Sequence, residues 1–293
     1  MRRFCLLGGC LLLASIMFSQ RVHIGVFGGL AAYQGDLTDK IFPKKETNGV
    51  IGVSVNYELT EQVMIRGGFN YSIVGGADRF SDDDSLRARN LAFETKLTEF
   101  SVVGEYYFFN LSEQKFSPYL FAGLAIFHFN PYAYDVNKTK IFLKPLSTEG
   151  EGLSQYPDRK PYALTQPAIP FGGGVKYAFT DNLRLGLELG MRKLFTDYLD
   201  DVSTTYVDPN DLLAAKGQTA VDMSYRGDEL PGGNQVYPSK GAQRGGANHK
   251  DWYYFFGLHL TYRLGGEGGG GGSYNSGKKN KRYGCPHVPP SPY

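Results

Sequence analysis

The stretch Leu183-Arg184-Leu185-Gly186-Leu187-Glu188-Leu189-Gly190-Met191-Arg192 decides the fold. Aliphatic side chains fill every odd position, and Arg, Gly and Glu fill the even ones. Successive side chains of a strand point to opposite faces, so this period of two builds a strand with one aliphatic and one charged face. Which face meets water depends on how often the pattern recurs.

It recurs along most of the chain. Val22-Ile24-Val26-Gly28-Leu30 and Ile51-Val53-Val55-Tyr57-Leu59 mark a first and a second strand. Val63, Ile65, Phe69, Tyr71 and Ile73 oppose Arg66, Asn70 and Ser72 in a third; Phe100, Val102, Tyr106 and Phe108 oppose Glu99, Ser101 and Glu105 in a fourth. A fifth, 115–130, is almost wholly apolar, and its phase stays open. Phe171, Val175, Tyr177 and Phe179 face away from Lys176 in a sixth, 183–195 is the seventh, and Trp252 to Tyr262 alternates with His259, Thr261 and Arg263 in an eighth.

The polar faces together hold Arg66, Lys176, Arg184, Arg192 and Arg263 against Glu58, Glu99, Glu105 and Glu188. A soluble sandwich or lipocalin-like barrel would bury the aliphatic faces and show these charges to water. A membrane barrel does the reverse, with charge in the lumen. Strands of roughly 11–17 residues exceed the usual five or six and suffice to cross an outer membrane when tilted. Aromatic residues gather near the strand ends, as interface girdles do. Tight turns near 59–62, 110–114 and 180–182 alternate with long connections, roughly 38–48, 75–95, 131–162 and 197–250, the outer-membrane rule of short periplasmic turns and long outer loops. The expectation is an all-β, eight-stranded antiparallel up-and-down transmembrane barrel with long extracellular loops and periplasmic termini. Side chains just fill a lumen of eight strands, so the inward charges are expected to form a paired structural network rather than an ion path.

The chain opens with Met1-Arg2-Arg3 and an apolar run from Phe4 to Phe18, a signal-peptide pattern too short to span a bilayer. Leu7-Gly8-Gly9-Cys10 mimics a lipoprotein box, but the apolar run continues past it, so a plain signal peptide over 1–19 is expected. The barrel then takes 20–264 and a tail 265–293. No later apolar run has the length of a membrane helix. The 38 Gly, 21 Tyr and 20 Phe favour strands, and a net charge of +2 gives a nucleic-acid partner no support.

Three segments carry a family resemblance: Gly28-Gly29 through Tyr33-Gln34-Gly35-Asp36-Leu37, Phe116-Ser117-Pro118-Tyr119-Leu120-Phe121-Ala122-Gly123, and Phe195-Thr196-Asp197-Tyr198-Leu199-Asp200-Asp201-Val202-Ser203 continuing to Pro209. They resemble the PorG-like outer-membrane barrels of Bacteroidetes, over about residues 21–264. The resemblance implies a role in type IX secretion, with outer-membrane lipids around the barrel and periplasmic ring and lipoprotein components of the PorK and PorN kind as partners.

The tail begins as a Gly-rich linker, Gly265 to Gly272, followed by Lys278-Lys279-Asn280-Lys281-Arg282 and then Cys285. Two readings stay open: a disordered solubilising tail, or a tether in which Lys278, Lys279, Lys281 and Arg282 meet an acidic partner and Cys285 forms an intermolecular disulfide. Once Cys5 and Cys10 leave with the signal peptide, Cys285 is the remaining thiol.

No motif calls for a metal or cofactor. Asp197, Asp200, Asp201, Asp208 and Asp211 lack the ligand ladder of a calcium loop, and their expected work is capping and turns, with Asp208-Pro209 starting a short helix to Lys216. Ser81-Asp82-Asp83-Asp84 reads as a solvated loop, and Gly172-Gly173-Gly174, inside a strand, permits curvature rather than cradling phosphate. His23, His128, His249, His259 and His287 sit in no local nucleophile–base motif, so no enzymatic chemistry is expected. The function expected is a non-enzymatic anchor of a protein secretion machine. An OmpW-like conduit for small apolar molecules and a lipid A-modifying barrel enzyme are the alternatives.

Overall fold

The computed structural model describes residues 21–264, apart from 39–42, 44 and 247–249. Eight strands of 11 to 16 residues form the wall: β1 (Val22–Gln34), β2 (Asn48–Glu58), β3 (Val63–Ala77), β4 (Ala92–Tyr107), β5 (Phe116–His128), β8 (Thr165–Ala178), β9 (Leu183–Leu194) and β10 (Trp252–Arg263). Each pairs antiparallel with the next, and β1 pairs with β10 from His23↔Arg263 to Gln34↔Trp252, which closes the ring. Closure leaves the wall without a free edge, the condition for strands in hydrocarbon; the β5–β8 ladder breaks at Gly123 and Leu124, opposite Pro170 and Ile169.

Side-chain burial fixes the orientation of the wall. Along β4, Glu99 and Glu105 are 0% and 1% exposed, while Phe100 between them is 66% exposed; on β5 Leu124 reaches 73%. The same outward apolar rows run through Ile24 and Val26, Ile51, Val53 and Val55, and Leu258 and Leu260. An apolar girdle continuous around the barrel is a surface for lipid, not water. The open phase of the fifth strand resolves with Ser117, Tyr119, Phe121, Ala125 and Phe127 inward and Leu120, Leu124 and Ile126 outward.

At the short-turn end, two hairpins use the same chemistry. Thr60 Oγ1 accepts from the Gln62 and Val63 amides (3.3 and 3.0 Å), and Thr180 Oγ1 accepts from those of Asn182 and Leu183 (3.3 and 3.0 Å). Within the wall, Gly172 and Gly174 are required by close approach. A Cβ there would lie 2.1 Å from the Leu189 carbonyl oxygen or 2.2 Å from that of Leu187, and would crowd the rings of Phe121 and Tyr119.

The loop end carries more structure than alternation alone could foretell. A hairpin of β6 (Tyr132–Tyr134) and β7 (Lys140–Phe142) joins the end of β4 through Glu94↔Tyr132. Three short helices follow in the other loops: α1 (Asp84–Arg89), α2 (Pro209–Lys216) and α3 (Gln218–Ser224). Asp208 caps α2 by accepting from the Asn210 amide at 2.9 Å, and Asp83 caps α1 through the Ser85 amide at 2.7 Å. No described helix is long and apolar enough to cross a membrane. The main apolar core runs from the upper lumen into these loops, through Tyr33, Leu97, Phe127, Leu194 and Tyr253 to Phe129, Leu199 and Val202.

Candidate functional site

The lumen is filled in layers. At the short-turn end Glu58 accepts from Arg184 Nη2 (2.9 Å) and Arg263 Nη2 (3.3 Å), and His23 Nε2 lies 3.0 Å away. The next layer centres on Arg66, whose Nε donates to Glu105 at 3.0 Å and whose Nη1 and Nη2 donate to Glu188 at 2.6 and 3.1 Å. Lys176 Nζ lies 3.4 Å from Glu105 and 2.5 Å from the Tyr107 hydroxyl, which itself donates to Glu105; Tyr119 donates to Glu188 at 2.7 Å. Higher still, Glu99 accepts from Arg192 Nε (2.9 Å), Asn70 Nδ2 (2.9 Å) and the Tyr253 hydroxyl (2.7 Å). Arg192 lies over the Phe255 ring, 4.0 Å from its centre.

All nine inward charges named from the sequence thus lie in ion pairs, five cations among four carboxylates. A charge out of water needs a partner this close. The sequence reading did not name the partners that complete the layers: His23, Tyr107, Tyr119 and Tyr253. For His23, Tyr107 and Tyr253 the signal was parity, since each occupies an inward position of its strand, and a buried tyrosine must place its hydroxyl; Tyr119, on the strand of open phase, gave none. Cys285, Lys278, Lys279, Lys281 and Arg282 lie outside the described residues.

Glu105, Glu188 and His259 offer ligand atoms within 4.8 Å of one another. Arg66 fills that position: its Nη1 also lies 3.1 Å from His259 Nδ1. A guanidinium can only donate, so Nδ1 accepts and the ring proton sits on Nε2, pointing at Ser54 Oγ 2.9 Å away. In this arrangement His259 donates to Ser54 and does not act as its base. A lumenal void of about 30 Å³ beside Arg66, Glu188, Arg192 and His259 has room for only a water or two. Purified protein in planar bilayers is therefore expected to show no large, steady conductance; stable porin-sized steps would mean that these layers part.

Above the lumen, the long loops fold onto one another as a cap. Phe127, Phe129, Tyr162 and Tyr198 stack in series with centroids 5.4, 6.1 and 4.9 Å apart. Glu149 is a buried hub that accepts from the Ser203 and Thr204 amides (2.9 and 2.8 Å), the Thr204 hydroxyl (2.6 Å) and Arg244 Nη1 (2.9 Å). Gly150 and Gly152, at φ +82° and +76°, bend the chain so that Glu149 and Glu151 both turn inward. Asp201 accepts from Thr148 and Tyr162, each at 2.6 Å; Asp200 accepts from Tyr33 at 2.5 Å; Asp251 accepts from the Leu199 amide at 2.9 Å.

Burial pushes these carboxyl groups up: Asp197 and Asp201 to about 6, and Glu151, which also faces the charges of Asp201 and Glu149, to about 8. Asp200 and Asp251 are raised well above the usual carboxylate range by burial, Asp200 also by the charges of Asp251 and Asp36, and Asp251 also by those of Asp197 and Asp36. From the sequence, Asp197, Asp200 and Asp201 read as capping and turn residues; all three are at most 2% exposed, a burial that reading did not foresee.

A closed register, an apolar wall and an ionic, filled lumen define an eight-stranded barrel of the outer-membrane type. The profile of the family described as "Domain of unknown function (DUF6089)" matches residues 2–214, and the chain belongs to that family. No curated protein matches it by sequence. Among solved structures it is similar to Neisserial surface protein A (NspA) at 10% identity and a TM-score of 0.41, over 83% of this chain and 97% of that one. It is also similar to the outer membrane protein OprG from Pseudomonas aeruginosa (9%, TM-score 0.37, 84% and 98% covered) and to the outer membrane enzyme PagL (10%, 0.30, 83% and 99%). The barrel assignment rests on the register and wall chemistry above, not on these distant likenesses.

Proposed function

We propose that this barrel is a non-enzymatic outer-membrane anchor of a protein secretion machine of the type IX class. Its short turns and both termini face the periplasm, where they hold ring or lipoprotein components. The observation that carries the reading is the filled lumen. A barrel whose interior is packed with ion pairs offers its end surfaces, not a channel, to a function. The resemblance of 195–209 to PorG-like barrels supplies the secretion role. That segment also builds the heart of the cap, where Leu199, Val202 and Val207 are buried.

Affinity capture from mild-detergent membranes, with and without reductant, tests the proposal. Periplasmic ring components should co-purify, and a non-reducing gel of whole envelopes should show a heavier species that collapses with reductant and is missing in Cys285→Ser. Recovery of the barrel alone, together with uptake of small apolar solutes into liposomes, would replace the anchor with a conduit. A monomeric band with a freely alkylated thiol would remove the covalent tether and leave the tail a solubilising one.

A further inference from the structure

Strands β8, β9 and β10 carry an unusual patch on their outer face at the loop end. Phe171, Met191 and Tyr254 are neighbours in register, and one step nearer the loops Ile169, Lys193 and Trp252 are neighbours in turn. Phe171 and Trp252 meet edge to face at 6.1 Å. Lys193 is thus an exposed cation on the lipid side of a wall whose preceding outward residues on the same strand, Leu183 to Met191, are all apolar. The cap overhangs this patch through Tyr206, Tyr225 and Pro238, leaving a cavity of about 1250 Å³ outside the lumen, with Lys250 also on its lining.

We propose that this lateral cavity binds a phosphorylated glycolipid of the outer leaflet. The chemistry is amphipathic in the right order. Phe171 and Met191, beside the buried ring of Tyr254, offer an apolar track for the start of an acyl chain on the membrane side, and the exposed Lys193 offers positive charge to a phosphate on the loop side. Trp252 between them is the type of residue that settles at the headgroup level. Arg89, Arg244, Asp36 and Asp83 also border the cavity, but the guanidinium groups serve Asp78 (2.7 Å) and Glu149 (2.9 Å), and the carboxylates accept from the Gly246 amide (2.9 Å) and the Ser85 amide (2.7 Å), which makes Lys193 the charge on which selectivity turns. The proposal rests on the outer-membrane orientation given above, with the loop end outward, and not on the secretion partners.

Trp252 is the single tryptophan of the chain, so its fluorescence reports this cavity without a label. Detergent-purified full-length protein titrated with diphosphorylated lipid A should show a saturable change in Trp252 emission. Affinity should fall at least ten-fold in Lys193→Glu and several-fold in Lys193→Gln, and stay unchanged in Lys138→Glu, remote on another loop. The milder Lys193→Gln carries the test if the charge reversal impairs assembly. An equal response to phosphatidylethanolamine or to inorganic phosphate, an unaltered titration in both Lys193 variants, or no response at all would overturn the site. Because binding is read in detergent, an empty capture experiment would remove the secretion role and leave this result standing.

Discussion

Leu187→Arg is expected to stop the barrel from assembling in the membrane, and Glu188→Leu, one residue on, to weaken it for the opposite reason. Leu187 lies outward in mid-β9, paired with Val175 and Leu258, so an arginine there would face hydrocarbon at a cost of about 2–4 kcal/mol. Glu188 points inward between Gly174 and Gly257 and accepts both Arg66 nitrogens and the Tyr119 hydroxyl. Removing it leaves two buried cations, Arg66 and Lys176, sharing the single carboxylate of Glu105, a loss of about 3–5 kcal/mol. The two defects separate by rescue. Arg66→Met should restore much of the stability lost in Glu188→Leu, because replacing both partners with apolar groups leaves no orphan charge. Lys176 then remains as the partner of Glu105. The same substitution should do nothing for Leu187→Arg. Heat-modifiable gel mobility and urea unfolding in detergent micelles give both readouts. Normal assembly of Leu187→Arg would mean that the faces of the wall are reversed.

The wall was legible in the sequence because lipid and lumen impose opposite demands on alternate residues, and seven strands show that contrast. The inward charges followed from the same parity. The fifth strand withheld its phase because its inward row is aromatic: Tyr119, Phe121 and Phe127 look no different from lipid-facing residues until Arg66, Glu188 and Tyr253 are seen against them. The Asp208 cap was legible because capping is local. The cap core was not, since its pairings join residues far apart in the chain, such as Glu149 with Arg244 and Tyr33 with Asp200. Leu199-Asp200-Asp201-Val202 held one hint: two acids set between aliphatic residues are drawn inward when those residues are buried.

That burial gives the cap an expected pH dependence. Glu151 is buried facing Asp201, Glu149 and Arg244, and Asp201 faces Arg244, Thr148 and Tyr162. Their folded-state pKa values, about 8 and about 6, lie above those of an unfolded loop, so between pH 5 and 8 the folded cap binds more protons than the open one. Stability from these groups is complete below the ordinary carboxylate range and is lost as pH rises through 6 and then 8. For Glu151 alone the loss is roughly 3–5 kcal/mol at full ionisation. Hydrogen exchange, corrected for its intrinsic pH dependence, should therefore show peptides from 148–162 and 197–207 opening more readily at pH 8 than at pH 5. The strands of the wall should stay protected throughout. Glu151→Gln should remove the part of that slope that falls between pH 6 and 8 in 148–162, since an amide fills the same space without ionising, and leave the part due to Asp197, Asp200, Asp201 and Asp251. A cap that tightens as pH rises, or an unchanged slope in Glu151→Gln, would mean that Arg244 already compensates the charge of Glu151, and the loop end would then present one fixed surface across this range.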